Sequence, residues 1–113
     1  MAKTKLPDPL ERRHLVEGSM DSSRALAFAE LYVAEGRPLE AVAFFRKAEA
    51  EERLVALRDE AVAEGDVFLV RECAGALAQP IDADTWRAVA EAARRQGKES
   101  YAAEAERQAA RLA

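Results

Sequence analysis

Residues 21–48 read DSSRALAFAELYVAEGRPLEAVAFFRKA, and the pattern in this stretch predicts two consecutive helices. Asp21 is suited to cap the N-terminus of the first helix, which we expect to run from about Ser22 to Glu35. Gly36 can adopt the left-handed conformation that ends a helix, and Pro38 suits the first turn of the next one. The stretch therefore predicts a helical hairpin.

The same pattern continues along the chain. Gly65 and Gly97 also follow amphipathic segments, at spacings of 29 and 32 residues, which are typical of a helical repeat. Pro80 breaks the helical pattern, and Asp82 or Asp84 would cap the helix after it. We therefore expect helices on both sides of Gly65 and of Gly97.

The helix pattern is ambiguous in one region, and a further short helix is predicted in another. Between Leu39 and Glu64, one continuous helix and two helices joined by a tight turn near Ala50–Glu52 both fit the sequence, and we favour the turn. Ahead of the hairpins, Asp8 and Pro9 predict the start of a short helix that ends at Gly18.

Composition limits the class of protein. Half of the residues are hydrophobic and 34% are charged, as in a folded domain. The net charge of -4 argues against a main role in gripping a phosphate backbone. Cys73 is the lone cysteine, so no internal disulfide can form. With no signal peptide or membrane span in the sequence, we expect a cytoplasmic protein that does not bind membranes.

The hairpin residues resemble the tetratricopeptide repeat, whose pattern places small and bulky side chains at set positions in about 34 residues. The first segment matches that spacing without a gap at Phe28, Ala29, Tyr32, Gly36, Ala41, Phe45 and Ala48. The last segment matches it at Trp86, Val89, Ala90, Gly97, Ala102 and Ala109. The middle segment keeps Leu54, Leu57, Ala61 and Gly65, but its second helix departs from the pattern.

The resemblance implies an all-α fold, a tetratricopeptide-like superhelix in which three antiparallel helix hairpins stack. Residues 1–20 would form an N-terminal segment with the short helix, and residues 21–113 the repeat domain. Because a single hairpin cannot bury its apolar face alone, the hairpins are expected to pack on one another.

The resemblance also implies a concave groove lined by the first helix of each hairpin. Mapped onto this chain, the groove residues are Leu26, Glu30, Val33, Val55, Asp59, Val62, Arg87, Glu91, Arg94 and Arg95. This surface would be apolar and acidic in the first two hairpins and basic in the third. Either the N-terminal segment, through Leu6, Leu10, Leu15 and Val16, or a partner helix or peptide would cover its apolar part.

The sequence gives no pattern for chemistry. His14 lacks partners of metal-ligand type at a suitable spacing, and Cys73 lacks a nearby histidine to activate it. Trp86 lies on a packing position of the repeat, so we expect it in the core. We therefore predict no catalytic, cofactor or metal site, and no enzymatic activity.

The predicted function is a scaffold that binds a protein or peptide, which could include a second copy of the chain. The rival interpretation is a small regulatory nucleic-acid-binding protein that uses basic residues of the last hairpin. These are Arg87, Arg94, Arg95, Lys98, Arg107 and Arg111. We consider nucleic-acid binding the weaker hypothesis, because no aromatic residues alternate with these charges and the rest of the chain is acidic.

Overall fold

The computed structural model describes residues 6–18 and 20–112, which form seven α-helices and no strand. The helices are α1 (Pro9–Glu17), α2 (Ser22–Ala34), α3 (Pro38–Lys47), α4 (Glu51–Glu64), α5 (Val67–Leu77), α6 (Ala83–Arg95) and α7 (Glu99–Leu112). The prediction of an all-α fold is confirmed. The chain divides into two compact units, Met1–Glu51 and Glu52–Ala113.

Aspartates cap four of the helices. The side chains of Asp8, Asp21, Asp66 and Asp82 each accept a hydrogen bond from the backbone N–H three residues later, at 2.7 to 3.1 Å. Each carboxylate satisfies a backbone donor that has no partner inside the helix. The caps predicted at Asp8 and Asp21 are confirmed, and Asp82 rather than Asp84 caps α6.

The segment from Leu39 to Glu64 contains two helices, because a turn separates α3 from α4. Glu49 adopts a left-handed conformation with φ of 55°, and the N–H of Ala50 donates to the carbonyl of Phe45 at 3.0 Å. This bond satisfies a carbonyl at the end of α3. The turn begins slightly earlier than the predicted Ala50–Glu52, since α4 already starts at Glu51.

The three predicted turn glycines, Gly36, Gly65 and Gly97, all adopt the left-handed conformation, with φ between 70° and 74°. Gly65 has a second constraint. A Cβ at this position would overlap the backbone nitrogen and Cα of Ala93 on α6. The end of α4 therefore packs directly on α6, and Lys98 adds a 2.9 Å hydrogen bond from its ammonium to the carbonyl of Glu64.

In the first unit, α2 and α3 pack as a hairpin around aromatic rings. The ring of Phe44 stacks on Tyr32 and on Phe28, with centroids 5.5 Å apart in both pairs. Small Ala29 and Ala41 are fully buried beside them. The buried hydroxyl of Tyr32 has no hydrogen-bond partner among the described residues.

Helix α1 packs on α3 in the same unit. The ammonium of Lys47 donates to the carbonyl oxygens of Val16, at 2.9 Å, and Gly18, so it caps the C-terminal end of α1. Leu10 remains 63% exposed. The N-terminal segment, one of the two candidates to cover the apolar part of the groove, thus contacts α3, whereas the predicted groove residues of this unit lie on α2.

In the second unit, α6 and α7 pack as a hairpin whose interface is rich in alanine. Trp86 is buried as predicted, beneath the guanidinium of Arg71, which lies 5.6 Å from its ring centroid. Arg71 also forms a 2.7 Å ion pair with Glu104 of α7. Hydrogen bonds from Gln108, Arg107 and Arg71 lower the pKa of Glu104 to about 2, so this carboxylate is charged at neutral pH.

Candidate functional site

A cleft of about 570 Å³ opens in the second unit, between α4, the loop from α5 to α6, and the first half of α6. The residues that line it are Arg58, Asp59, Val62, Gln79, Pro80, Ile81, Asp82, Asp84, Thr85 and Ala88. Its volume lies in the range of clefts that hold ligands in proteins.

The lining combines an apolar surface with acidic groups. Val62, Pro80, Ile81 and Ala88 supply the apolar contacts. The carboxylates come from three positions, which are Asp59, Asp82 and Asp84, and one guanidinium comes from Arg58. The net charge of the cleft lining is therefore negative.

Arg58 connects two parts of the cleft lining through its guanidinium. Its side chain is 24% exposed, and its guanidinium donates a 2.7 Å hydrogen bond to the side-chain oxygen of Gln79 in the α5–α6 loop. The same guanidinium lies 3.6 Å from the carboxylate of Asp59. Arg58 thereby ties the middle of α4 to the loop that precedes α6.

The first turn of α6 forms the opposite wall. Hydrogen bonds from the side chain and the backbone of Thr85 lower the pKa of Asp82, so its carboxylate stays charged. Asp84, the second residue of α6, forms an ion pair with Arg87. Negative side chains at a helix N-terminus are favoured by the helix dipole, so both carboxylates have a structural reason to be there.

Only part of the predicted groove coincides with this cleft. Asp59 and Val62 line it, and Arg87 pairs with the cleft residue Asp84. Arg94 is different, because it pairs with Glu106 on α7 and therefore reaches towards the other helix of its hairpin.

The remaining groove residues of the second unit lie outside the cleft lining. Val55 is half-buried on α4, and Glu91 and Arg95 are exposed on α6. In the first unit, Leu26 and Glu30 are exposed and Val33 is half-buried, and all lie on α2. A groove formed by all ten residues together stays a prediction.

Sequence reasoning missed most of the cleft. The sequence pattern predicts only a helix break at Pro80 and a helix cap at Asp82, and it predicts no site role for Ile81. Arg58 did carry a signal, because it lies seven residues before Gly65, whereas the residues seven before Gly36 and Gly97 are the buried alanines Ala29 and Ala90. A long charged side chain at this position indicates a local departure from the predicted repeat pattern.

The other side chains singled out in the sequence lie away from the cleft lining. His14 is exposed on α1. Cys73 is buried on α5, and burial raises the pKa of its thiol to about 12 even though the charge of Arg58 opposes this shift. The thiol is therefore neutral at physiological pH, which is unsuitable for a nucleophile.

Within residues 6–18 and 20–112, no group of three or more His, Cys, Asp or Glu side chains could hold a metal ion. No helix in this part of the chain is long and apolar enough to cross a membrane. No protein-family model, curated protein or solved structure matches the sequence or the fold.

Proposed function

We propose that the chain is a tetratricopeptide-like helical-repeat scaffold that binds a protein or peptide and has no catalytic activity. The cleft carries this proposal, because it presents apolar and acidic side chains together on an open surface of the second unit. Groups of this kind can bury part of a partner chain and fix its orientation. The proposed arrangement is three stacked hairpins preceded by α1.

The pattern of burial supports a repeated hairpin. Tyr32, Ala61 and Ala93 each lie four residues before the glycine that follows their helix, and all three are fully buried. Eleven residues before the same glycines stand buried residues again, which are Ala25, Leu54 and Trp86. Equivalent positions thus carry equivalent packing roles although their side chains differ in size.

The last hairpin favours the scaffold over the nucleic-acid-binding alternative. Arg94 pairs with Glu106, and Arg107 forms a 2.5 Å ion pair with Glu104. Because these guanidinium groups are partly neutralised by carboxylates, they would attract a phosphate backbone less strongly than an unpaired basic patch.

Peptide display against the immobilised full chain tests the proposal. We expect enriched peptides to lose about tenfold in affinity on the Asp59→Lys variant, because charge reversal at the cleft removes a favourable interaction and adds a repulsive one. Glu72→Lys is the matched control, since it makes the same charge change at an exposed position on α5. Enriched peptides should bind this variant as they bind the wild type.

The outcomes separate the alternatives. Failure to enrich any peptide contradicts the scaffold proposal, and equal binding to both variants contradicts the role of the cleft. Binding to DNA or RNA that collapses between low and moderate salt would favour the nucleic-acid alternative. Light scattering of the full chain shows whether a second copy is itself the partner.

A further inference from the structure

The charge of the cleft indicates what kind of partner segment it suits, and this step rests on the proposed function. The lining contains three carboxylates, from Asp59, Asp82 and Asp84, and a single guanidinium. That guanidinium belongs to Arg58, which is already engaged by Gln79 and Asp59. The carboxylates on the α6 side of the cleft are therefore not neutralised by Arg58.

The ion pair between Asp84 and Arg87 leaves the carboxylate of Asp84 available to a ligand. Its partner Arg87 is 54% exposed and Asp84 is 91% exposed, so their ion pair lies in solvent, where such pairs are weak and exchange readily. Asp82 keeps its charge because the hydrogen bonds from Thr85 lower its pKa. A ligand with a cationic group can thus gain attraction from both walls of the cleft.

The apolar part of the lining suits the rest of such a ligand. Lysine and arginine have aliphatic stems that pack on apolar surface while their charged heads stay near water or carboxylates. Val62 and Ala88 offer this surface on the two helices, and Ile81 and Pro80 offer it on the loop. A neighbouring apolar side chain of the ligand could use the same contacts.

We propose that the cleft binds a partner peptide through a lysine or arginine side chain that is flanked by an apolar residue. The cationic head lies between the carboxylates of Asp59 on α4 and Asp84 on α6, and the flanking side chain covers Val62 and Ile81. An acidic segment is disfavoured because it would meet carboxylates on both walls.

Amide shifts of the full chain, measured by NMR during peptide titrations, test this proposal. The probes are three capped pentapeptides that share leucines on either side of a central arginine, norleucine or glutamate. We expect the arginine peptide to shift the amides of Val62, Ile81 and Ala88, and to bind at least tenfold more tightly than the glutamate peptide. Raising the salt from about 0.05 to 0.5 M should weaken its binding severalfold.

A double variant and a matched control locate the interaction. Asp59→Asn with Asp84→Asn should weaken the arginine peptide about tenfold and leave the norleucine peptide nearly unchanged. Glu60→Gln removes a charge from an exposed position on α4 that does not line the cleft, so it should leave both affinities unchanged. Asp82 is kept in all variants because it caps α6.

Equal or tighter binding of the norleucine or glutamate peptide at the same amides would overturn the cationic preference and leave the scaffold proposal standing. Unchanged binding of the arginine peptide to the double variant would also overturn it. If no probe shifts an amide of the cleft at millimolar concentration, the inference is wrong. The scaffold proposal falls only if peptide display fails as well.

Discussion

The hairpin of α2 and α3 and the hairpin of α6 and α7 share a sequence register but fill their interfaces differently. Stacked rings of Tyr32 and Phe44 occupy the first interface. In the second, all buried residues of α7 are alanines, which are Ala102, Ala105 and Ala109. The register determines which positions meet, whereas side-chain volume determines how closely the helices approach. The first hairpin should therefore be most sensitive to lost volume, and the second to added volume.

Replacement of Phe44 by alanine should have the largest effect, because it removes the ring that contacts both Tyr32 and Phe28. We expect a loss of about 3–5 kcal/mol in the free energy of unfolding, measured by urea denaturation of the full chain. Leu39→Ala on the same helix is the control. Leu39 is 47% exposed, so its loss should be below about 1 kcal/mol. Similar losses for the two variants would show that ring stacking does not dominate this hairpin.

The turn glycines give the next largest effect and sharpen the comparison. Gly65→Ala should cost roughly 2–4 kcal/mol, because it adds a left-handed alanine and an overlap with the backbone of Ala93. At Gly36 and Gly97 the backbone is equally left-handed, but in the described part of the chain no heavy atom beyond the adjacent residues lies within 4 Å of the added Cβ. Alanine at either position should cost about 1 kcal/mol.

Thermal denaturation of the three single variants measures this difference. A melting temperature for Gly65→Ala equal to those of the other two would contradict the close approach of α4 and α6. In that case, the left-handed backbone conformation alone would explain why all three positions are glycine.

Ala102→Val tests the alanine-rich interface directly. Ala102 is fully buried, so the added methyl groups must displace neighbours, which should cost about 1–3 kcal/mol. Ala110→Val on the exposed side of α7 is the control for the lower helix propensity of valine, worth about 0.5 kcal/mol. Equal losses in urea denaturation would indicate that the interface has room for larger side chains.

Much of the fold was predictable because its signals are local. Asp21 as a cap and Pro38 in the first turn of α3 depend on their own backbone geometry, and the structure confirms both. The turns at Glu49 and Ala78 were harder, because their left-handed residues, with φ of 55° and 54°, are not glycines. Local preference disfavours this conformation in residues other than glycine, so the residue types at these turns do not predict it.

The candidate site was predictable only at positions that the resemblance assigns to the groove. Asp59 and Val62, two of the groove residues that the resemblance implies, line the cleft. Gln79 and Ile81 could not be placed, because the path of the α5–α6 loop depends on tertiary contacts such as the bond from Arg58 to Gln79. Arg94 was assigned to the groove, yet its long side chain pairs with Glu106 on the neighbouring helix, a choice that periodicity does not determine.

Tyr32→Phe should produce the smallest effect, and an increase in stability. The ring stacks on Phe44 and lies beneath the guanidinium of Arg37, 5.2 Å from its centroid, and phenylalanine can keep both contacts. The hydroxyl is buried without a partner among the described residues, so its removal should raise the free energy of unfolding by up to about 1 kcal/mol. Tyr101→Phe is the control, since that side chain is only half-buried and should change stability little.

Urea denaturation of both variants shows whether the hydroxyl of Tyr32 stabilises or destabilises the first hairpin. A gain for Tyr32→Phe means that the ring is retained for its volume and that its hydroxyl opposes folding. A loss greater than about 0.5 kcal/mol would mean that the hydroxyl is satisfied in solution, as a buried water molecule could achieve. In that case the first hairpin depends on a polar contact as well as on volume, and its contrast with the alanine-rich hairpin is chemical as well as steric.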